Sequence, residues 1–220
     1  LESASGAFFP GNRSLWAGAI GGEYIVSELI RIGVAGAGVF GGHHSAKVAA
    51  HERAALVGVH DVDAARMTAL ASRFNAEPFA DYAALVAAVD AVIVAAPASA
   101  HFALARAALA AGRHVFVEKP IALETADADA LIKLARKKGA ILQVGHQERY
   151  VAEAAGLFSI GKSPIKIDCV RRTTACGRCE DVSVALDLMV HDLDLIRKLT
   201  NADLEGVIAT GDANAAQAEL

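Results

Sequence analysis

The chain has 220 residues, 54% of them hydrophobic and only 5% aromatic, and a formal net charge of -4. That balance gives no electrostatic case for nucleic acid, and no apolar run reaches the roughly 20 residues of a membrane helix. Three cysteines make no disulfide scaffold and fit a cytoplasmic protein.

In chain order, residues 1–29 carry Gly and Ser without clear periodicity and read as an N-terminal extension. Their apolar patch, Leu15 to Ile20, has only Arg13 as a preceding cation and Glu23 close behind, so no signal peptide is expected. Residues 30–148 alternate β-branched runs with Ala/Leu-rich helical stretches. Strands are expected at Ile30–Ala35, Ala55–Val59, Ala91–Ala95, His114–Val117 and Ile141–Val144. Helices are expected near Gly41–Ala50, Asp63–Phe74, Tyr82–Ala88, Ala100–Ala111 and Thr125–Lys138, the last with Thr125 as N-cap and Gly139 as left-handed C-cap. This alternation predicts an α/β fold, a Rossmann-type doubly wound parallel sheet with helices on both faces. From 149 to 220 the pattern changes. A strand is expected over Ile165–Val170, a helix over Val182–Leu199 and a strand over Leu204–Thr210, which together read as the incomplete start of an α+β substrate and oligomerisation domain.

The first strand runs into Gly36-Ala37-Gly38-Val39-Phe40-Gly41, a GxGxxG with a strand before it and a helix after it. Gly36 permits the tight turn, Gly38 lets backbone approach a pyrophosphate, and Gly41 allows close helix–strand contact. The N–H groups from Val39 and Phe40 onward, at the helix start, face the phosphates. Asp61 ends the second strand, where an acid meets a ribose 2′-hydroxyl and repels a 2′-phosphate; the next residue is Val62, not Arg. NAD is therefore expected as cofactor ahead of NADP. After the third strand, Ala96 and Pro97 leave room for a nicotinamide ribose, with His101 beside them. The alternative is a Pro-terminated loop with His101 starting a helix.

At the end of the strand His114–Val117 stands Val117-Glu118-Lys119-Pro120-Ile121-Ala122. A carboxylate and an ammonium at a strand end are costly to desolvate unless paired or used. Further on, Asp187-Leu188-Met189-Val190-His191-Asp192-Leu193-Asp194 puts Asp187 and His191 four apart on one helix face. An acid one turn from a His can hold its tautomer; the alternative is a solvated face with an ordinary ion pair.

These residues together resemble the glucose–fructose oxidoreductase / inositol dehydrogenase (Gfo/Idh/MocA) family. The resemblance rests on Gly36–Gly41 with His44 behind it, Asp61, Pro97 and His101, Glu118-Lys119-Pro120, Gly145 to Tyr150, and the Asp187–Asp194 helix. It implies a Rossmann domain followed by an α/β domain with a large open sheet, and a homo-oligomer. It also implies oxidation of a ring secondary alcohol, with Lys119 beside the hydroxyl and His191 or Lys119 handling the proton. On this reading His191 is the general base, Asp187 a partner of the substrate hydroxyl or of His191, and Lys119 the cation that lowers the hydroxyl pKa. Glu118 pairs within the site, and Pro120 follows a cis bond. His146 and Arg149 either line the substrate cleft or bridge the domains.

Cys176-Gly177-Arg178-Cys179 is a single CxxC without a second ligand pair, so no metal is expected. Arg172 and Arg178 are better candidates for an anionic substrate group such as a diphosphate. The run from Glu180 to Ile196 resembles a branch of the family that oxidises the 3-hydroxyl of UDP-N-acetylglucosamine, so a sugar or UDP-sugar is the expected substrate. The same scaffold also suits an NAD-dependent glycoside hydrolase or a non-catalytic NAD-binding module.

Overall fold

The structure is a computed structural model. It describes the backbone of residues 7–9, 15–20, 23–161, 164–171, 182–208, 210–211 and 218–219, and side chains within those ranges from 29 to 208. The first elements are β1 (Ala7–Phe9), β2 (Leu15–Ile20) and β3 (Glu23–Glu28), paired as an antiparallel meander. The absence of clear periodicity over residues 1–29, read as an extension or poorly ordered lead-in, does not foretell these strands. Gly21-Gly22 between β2 and β3 is the two-residue hairpin signal that a search for long periodicity passes over.

The central sheet is built from β4 (Ile30–Ala35), β5 (Ala54–His60), β6 (Glu77–Pro78), β7 (Ala91–Val94), β8 (His114–Glu118) and β9 (Leu142–Gly145). All its pairings are parallel, in the order β6-β5-β4-β7-β8-β9. The strands are short and apolar because helices cover both faces. The intervening helices are α1 (Val39–Ala49), α2 (Ala64–Arg73), α3 (Tyr82–Ala88), α4 (Ala98–Ala110) and α5 (Thr125–Lys138). The chain builds outward from β4 to β6, then returns to the other side of β4 with β7. Where that order reverses, the helices leave β4 and β7 in opposite directions and a crevice opens beyond the strand ends.

Side-chain alternation along each strand divides the core. Val92, Val94, Val115 and Val117 pack with Leu85, Leu109 and Leu131 from α3, α4 and α5, all essentially removed from solvent. Val34, Ile93 and Val48 form a second cluster that includes α1. Helix ends follow local chemistry. Asp63 accepts the Arg66 N–H at 3.0 Å at the start of α2, and Gly139 ends α5 in the left-handed conformation at φ 62°. The N-cap of α5 is Glu124, one residue before the expected Thr125.

Beyond β9 come α6 (Glu148–Ala154), one turn of 3₁₀ helix (Leu157–Ser159), and the expected long helix in two parts. A π-helical turn, Ala185–Met189, leads into α7 (Val190–Thr200). The strand expected over Ile165–Val170 is not formed. Those residues have no ladder partner among the described residues, and Ile165 and Val170 are exposed. A lone strand leaves its N–H and C=O groups to water, so alternation alone does not make one. Over Leu204–Thr210, Leu204, Val207 and Ile208 are exposed, and among the described residues of that span the one ladder partner belongs to Thr210, in β10 (Thr210–Gly211), which pairs with β11 (Ala218–Glu219). No described helix is long and apolar enough to cross a membrane.

Leu109 fills the space between α4 and the sheet with no exposed surface. Leu109→Ala is expected to destabilise the fold by about 2–5 kcal/mol through lost transfer energy and a residual cavity, read as a lower urea midpoint at unchanged slope.

Candidate active site

Three structural pieces meet at the C-terminal ends of the strands: the turn after β4, the loop after β8, and the π-turn leading into α7. The turn after β4 is made by close backbone approach. Gly36 has φ 106°, and a Cβ there would overlap the Ala95 carbonyl; a Cβ on Gly41 would overlap the carbonyl oxygen of Gly36. Gly38, at the N-cap of α1, faces open space instead. Two glycines thus close the turn and the third leaves its outer side clear for a ligand. Val39 and Phe40 begin α1 with exposed side chains, so their backbone lies at the free end of the helix.

A cleft of about 510 Å³ lies against this turn, lined by Ala37, Gly38, Val39, His43, Arg66 and Arg73 among others. Asp61 is fixed at its edge. Its Oδ2 accepts the Ala37 N–H at 2.6 Å, and its Oδ1 accepts the Asp63 N–H at 2.8 Å and Arg66 Nη2 at 3.0 Å. Burial raises the Asp61 carboxyl pKa, but these donors outweigh it and hold the group below its ordinary value. The position directly after Asp61 is Val62, which is exposed; the arginine missing there is supplied by Arg66, one helical turn into α2. An arginine within a turn of a strand-end acid is the sequence signal for this contact.

After β7, Ala96 and Pro97 form the loop into α4, with Pro97 at its N-cap. His101 does not reach this cleft. Its side chain is 1% exposed, and its ring nitrogens lie 2.7 Å from the Pro120 carbonyl oxygen and 2.9 Å from that of Ala96. The expected direct contact with cofactor is therefore corrected: both nitrogens are occupied by backbone.

In the loop after β8, Glu118 is buried and its Oε1 lies 2.6 Å from His44 Nε2 on α1. The His44 ring meets Phe116 edge-on at 5.1 Å. Lys119 projects the other way, and the Lys119–Pro120 bond is cis. The Lys119 ammonium donates to the Asp187 backbone carbonyl and to Asp187 Oδ1, each at 2.8 Å. Asp187 lies within the π-turn, a local widening that recurs at functional sites. Asp187 is thus the partner of Lys119 rather than of His191, the partner that helical spacing suggests. A half-buried ammonium needs a counter-charge more than a neutral imidazole needs an orienting acceptor.

His191, in the first turn of α7, is 6% exposed, and its Nδ1 has no hydrogen-bond partner among the described residues. Burial pushes its pKa down, and the positive charges of Lys119 and Arg171 push it further, against a smaller raising effect from Glu148. Arg149 is not free for substrate: its Nε and Nη2 both donate to Asp194, which lies 3.8 Å from His146 Nδ1. Arg171 donates to Asp192 at 2.9 Å and stands 3.9 Å from Glu148. These pairs tie α6 and the 164–171 segment to α7, and Arg149 makes its pair within the 149–220 part of the chain. Arg172, Arg178, Cys176 and Cys179 lie outside the described residues.

Residues 30–146 match the model of the oxidoreductase family, NAD-binding Rossmann fold (Gfo/Idh/MocA). The chain belongs to this family. It is 39% identical over 185 residues to UDP-N-acetylglucosamine 3-dehydrogenase of Acidithiobacillus ferrooxidans, covering 84% of this chain and 58% of that protein. A solved structure of that enzyme superposes with a TM-score of 0.77, covering 84% of this chain and 61% of the other. Inositol 2-dehydrogenase of Acidothermus cellulolyticus is 32% identical over 200 residues, 86% of this chain and 59% of its own length. GenD2 from gentamicin A biosynthesis, solved in complex with NAD, is 30% identical, with a TM-score of 0.68 over 79% of this chain and 54% of that one. The chain thus spans somewhat over half the length of the relatives it matches.

Because His191 titrates below its ordinary 6.5, its burial as the neutral ring contributes stability that is complete above pH 6.5. That contribution is lost as pH falls from 6.5 through the lowered value, where the unfolded chain binds the proton first. Histidine NMR titration is expected to find a midpoint under 6.5 for His191, and His191→Gln to flatten the loss of stability over that window.

Proposed function

We propose that this protein is an NAD-dependent oxidoreductase that oxidises a ring secondary alcohol of a sugar or nucleotide sugar, with the 3-hydroxyl of UDP-N-acetylglucosamine as the preferred substrate. The single observation that carries the reading is the convergence of Lys119, Asp187 and neutral His191 at the strand-end crevice of a family Rossmann domain. The similarity to UDP-N-acetylglucosamine 3-dehydrogenase supports the substrate.

The residues fit the cofactor. Gly36 and Gly41 close the turn while Gly38 leaves it open, the α1 N-terminus is free, and Asp61 presents a fixed carboxylate at the cleft edge. Ala96, in the loop after β7, stands close to Gly36 at the switch in strand order, which supports a place for it and Pro97 beside the cofactor. NAD, when bound, supplies the hydride acceptor. Asp61 favours a ribose 2′-hydroxyl over a 2′-phosphate, with Arg66 tempering that preference.

The proton chemistry belongs to the chain's own side chains. Neutral His191 has a buried, unpartnered Nδ1 and takes the hydroxyl proton. Lys119 stabilises the negative charge that grows on the oxygen, in a site of low dielectric. Asp187 holds the Lys119 ammonium in place and balances its charge until substrate arrives. Burial and the positive charge of Lys119 keep the His191 ring unprotonated and so able to accept a proton, while lowering its basicity. His146, Arg172 and Arg178 are proposed to face the substrate.

The same reading divides the chain into an extension at 1–29, the dinucleotide-binding domain at 30–148 and part of a substrate and oligomerisation domain at 149–220. The confinement of the parallel sheet to 30–145 supports this division. It makes the protein a cytoplasmic enzyme, in line with its three cysteines, and a homo-oligomer like the family it resembles.

Absorbance at the NADH band, followed with UDP-sugars, inositols and simple aldoses, tests the activity; no reduction with any of them counts against it. Lys119→Ala is expected to lower turnover by about two orders of magnitude or more at near-normal NAD affinity, and retained turnover overturns the assignment. Asp61→Ala is expected to narrow the gap between NAD and NADP affinity; equal affinities in the unaltered protein contradict the role given to Asp61.

A further inference from the structure

Lys119 has a histidine on each side of it, and neither touches the cleft where chemistry is proposed. The residue before it, Glu118, is held by His44 Nε2 at 2.6 Å, and Pro120 after it by His101 Nδ1 at 2.7 Å. The two histidines come from different helices, α1 and α4, which approach the strand-end loop separately. His101 also lies 2.9 Å from the Ala96 carbonyl, so one ring joins the loop after β7 to the loop after β8.

Each contact is firmly seated. His101 is 1% exposed. Its two neighbours are carbonyl oxygens, which only accept, so the tautomer sets which ring nitrogen donates, while both carbonyls pack within hydrogen-bond distance of the one ring. Glu118 is backed by Gly145, where an added Cβ would stand 3.1 Å from the carboxylate, and His44 is backed by Phe116. The carboxylate therefore has little room to leave its histidine. Strand β8 ends at Glu118, so beyond it ladder hydrogen bonds no longer fix the chain. Lys119 is the first residue past that support, and its long side chain magnifies any backbone shift at its tip.

We infer that His44 and His101 are positioning residues that clamp the backbone on either side of Lys119 and so set where its ammonium meets Asp187 and the substrate hydroxyl. His44 rides on the helix whose N-terminus faces the proposed phosphate site, and His101 holds the loop that borders the same crevice. The clamp consequently references Lys119 to both walls of the cofactor cleft. The inference rests on Lys119 being the reacting cation for its functional meaning, but the clamp itself is measurable without turnover.

The test is a nitrogen-15 spectrum of lysine ammonium groups in the unaltered protein and in His44→Gln, His101→Gln and the double variant, with Lys119→Met to assign the signal. Held by two acceptors, the Lys119 ammonium is expected to give a slowly exchanging signal. In each variant that signal is expected to shift and to exchange with water about tenfold faster or more. His44→Asn and His101→Asn, with shorter side chains that cannot reach both walls, serve as a second pair should a glutamine variant fold poorly by circular dichroism. Unchanged Lys119 signals in folded variants overturn the clamp. Turnover gives the functional arm: a fall of about 10- to 100-fold in kcat with NAD KM within about twofold, the scale expected for a displaced reacting group. Altered ammonium signals together with full turnover overturn the catalytic meaning of the clamp. An unaltered protein that reduces no NAD counts against the dehydrogenase reading instead, and the ammonium signals still decide whether the clamp exists.

Discussion

A positive charge just past the end of a parallel strand must be paired, and the pair formed by Lys119 and Asp187 organises the side of the crevice proposed for substrate. The two residues are 68 positions apart. Their contact brings the second half of the chain onto the strand ends of the Rossmann sheet. Asp187 offers both its carboxylate and its backbone carbonyl to one ammonium. The Asp187 carbonyl that takes the ammonium lies within the π-turn at Ala185–Met189, where the regular bonding to a residue four ahead is interrupted. Stability of the pair is modest in isolation because desolvation offsets most of the attraction. Its larger effect is geometric.

From that pair follow the other charges. Once Lys119 is fixed, His191 sits near a cation and inside the protein, and both effects favour the neutral ring. A helix carrying a buried histidine toward a strand end has to be held at a defined angle. Asp194 and Asp192, on α7, do this by taking Arg149 and Arg171. These pairs are partly exposed, so each contributes little alone. Two of them on one short helix nevertheless restrict its rotation, and rotation is the freedom that would turn His191 away from Lys119.

The cofactor side is legible in the sequence because that side is built from backbone. A glycine spacing, a strand before it and a helix after it describe a turn almost completely, the helices Tyr82–Ala88 and Thr125–Lys138 lie where periodicity puts them, and Gly139 ends the second as its cap chemistry suggests. Motif positions also locate Lys119, Asp187 and His191. The pairings are another matter. Helical spacing assigns Asp187 to His191 as a neighbour on the same face, while the tertiary fold assigns it to Lys119. Arg149 has the chemistry of an anion ligand, and only its contact with Asp194 shows that it is spoken for. His101 sits close in sequence to the loop after β7, yet its ring nitrogens face the backbone carbonyls of Ala96 and Pro120. Alternation over Ile165–Val170 satisfies the strand pattern without a partner strand, which local sequence cannot supply.

The two sides of the crevice therefore differ in kind. On the cofactor side the decisive atoms are main-chain N–H groups and the space left by absent side chains, and these are rigid once the sheet forms. On the substrate side they are long, charged side chains whose positions depend on contacts between distant segments. The proposed chemistry, which uses an ammonium and an imidazole together, is demanding of the second kind of structure. The loop after β8 reconciles them. Its Glu118 and Pro120 are tied to α1 and α4, elements of the rigid half, while the intervening Lys119 reaches across to Asp187 on the other. One residue thus carries the precision of the backbone-built half into the half built from side chains.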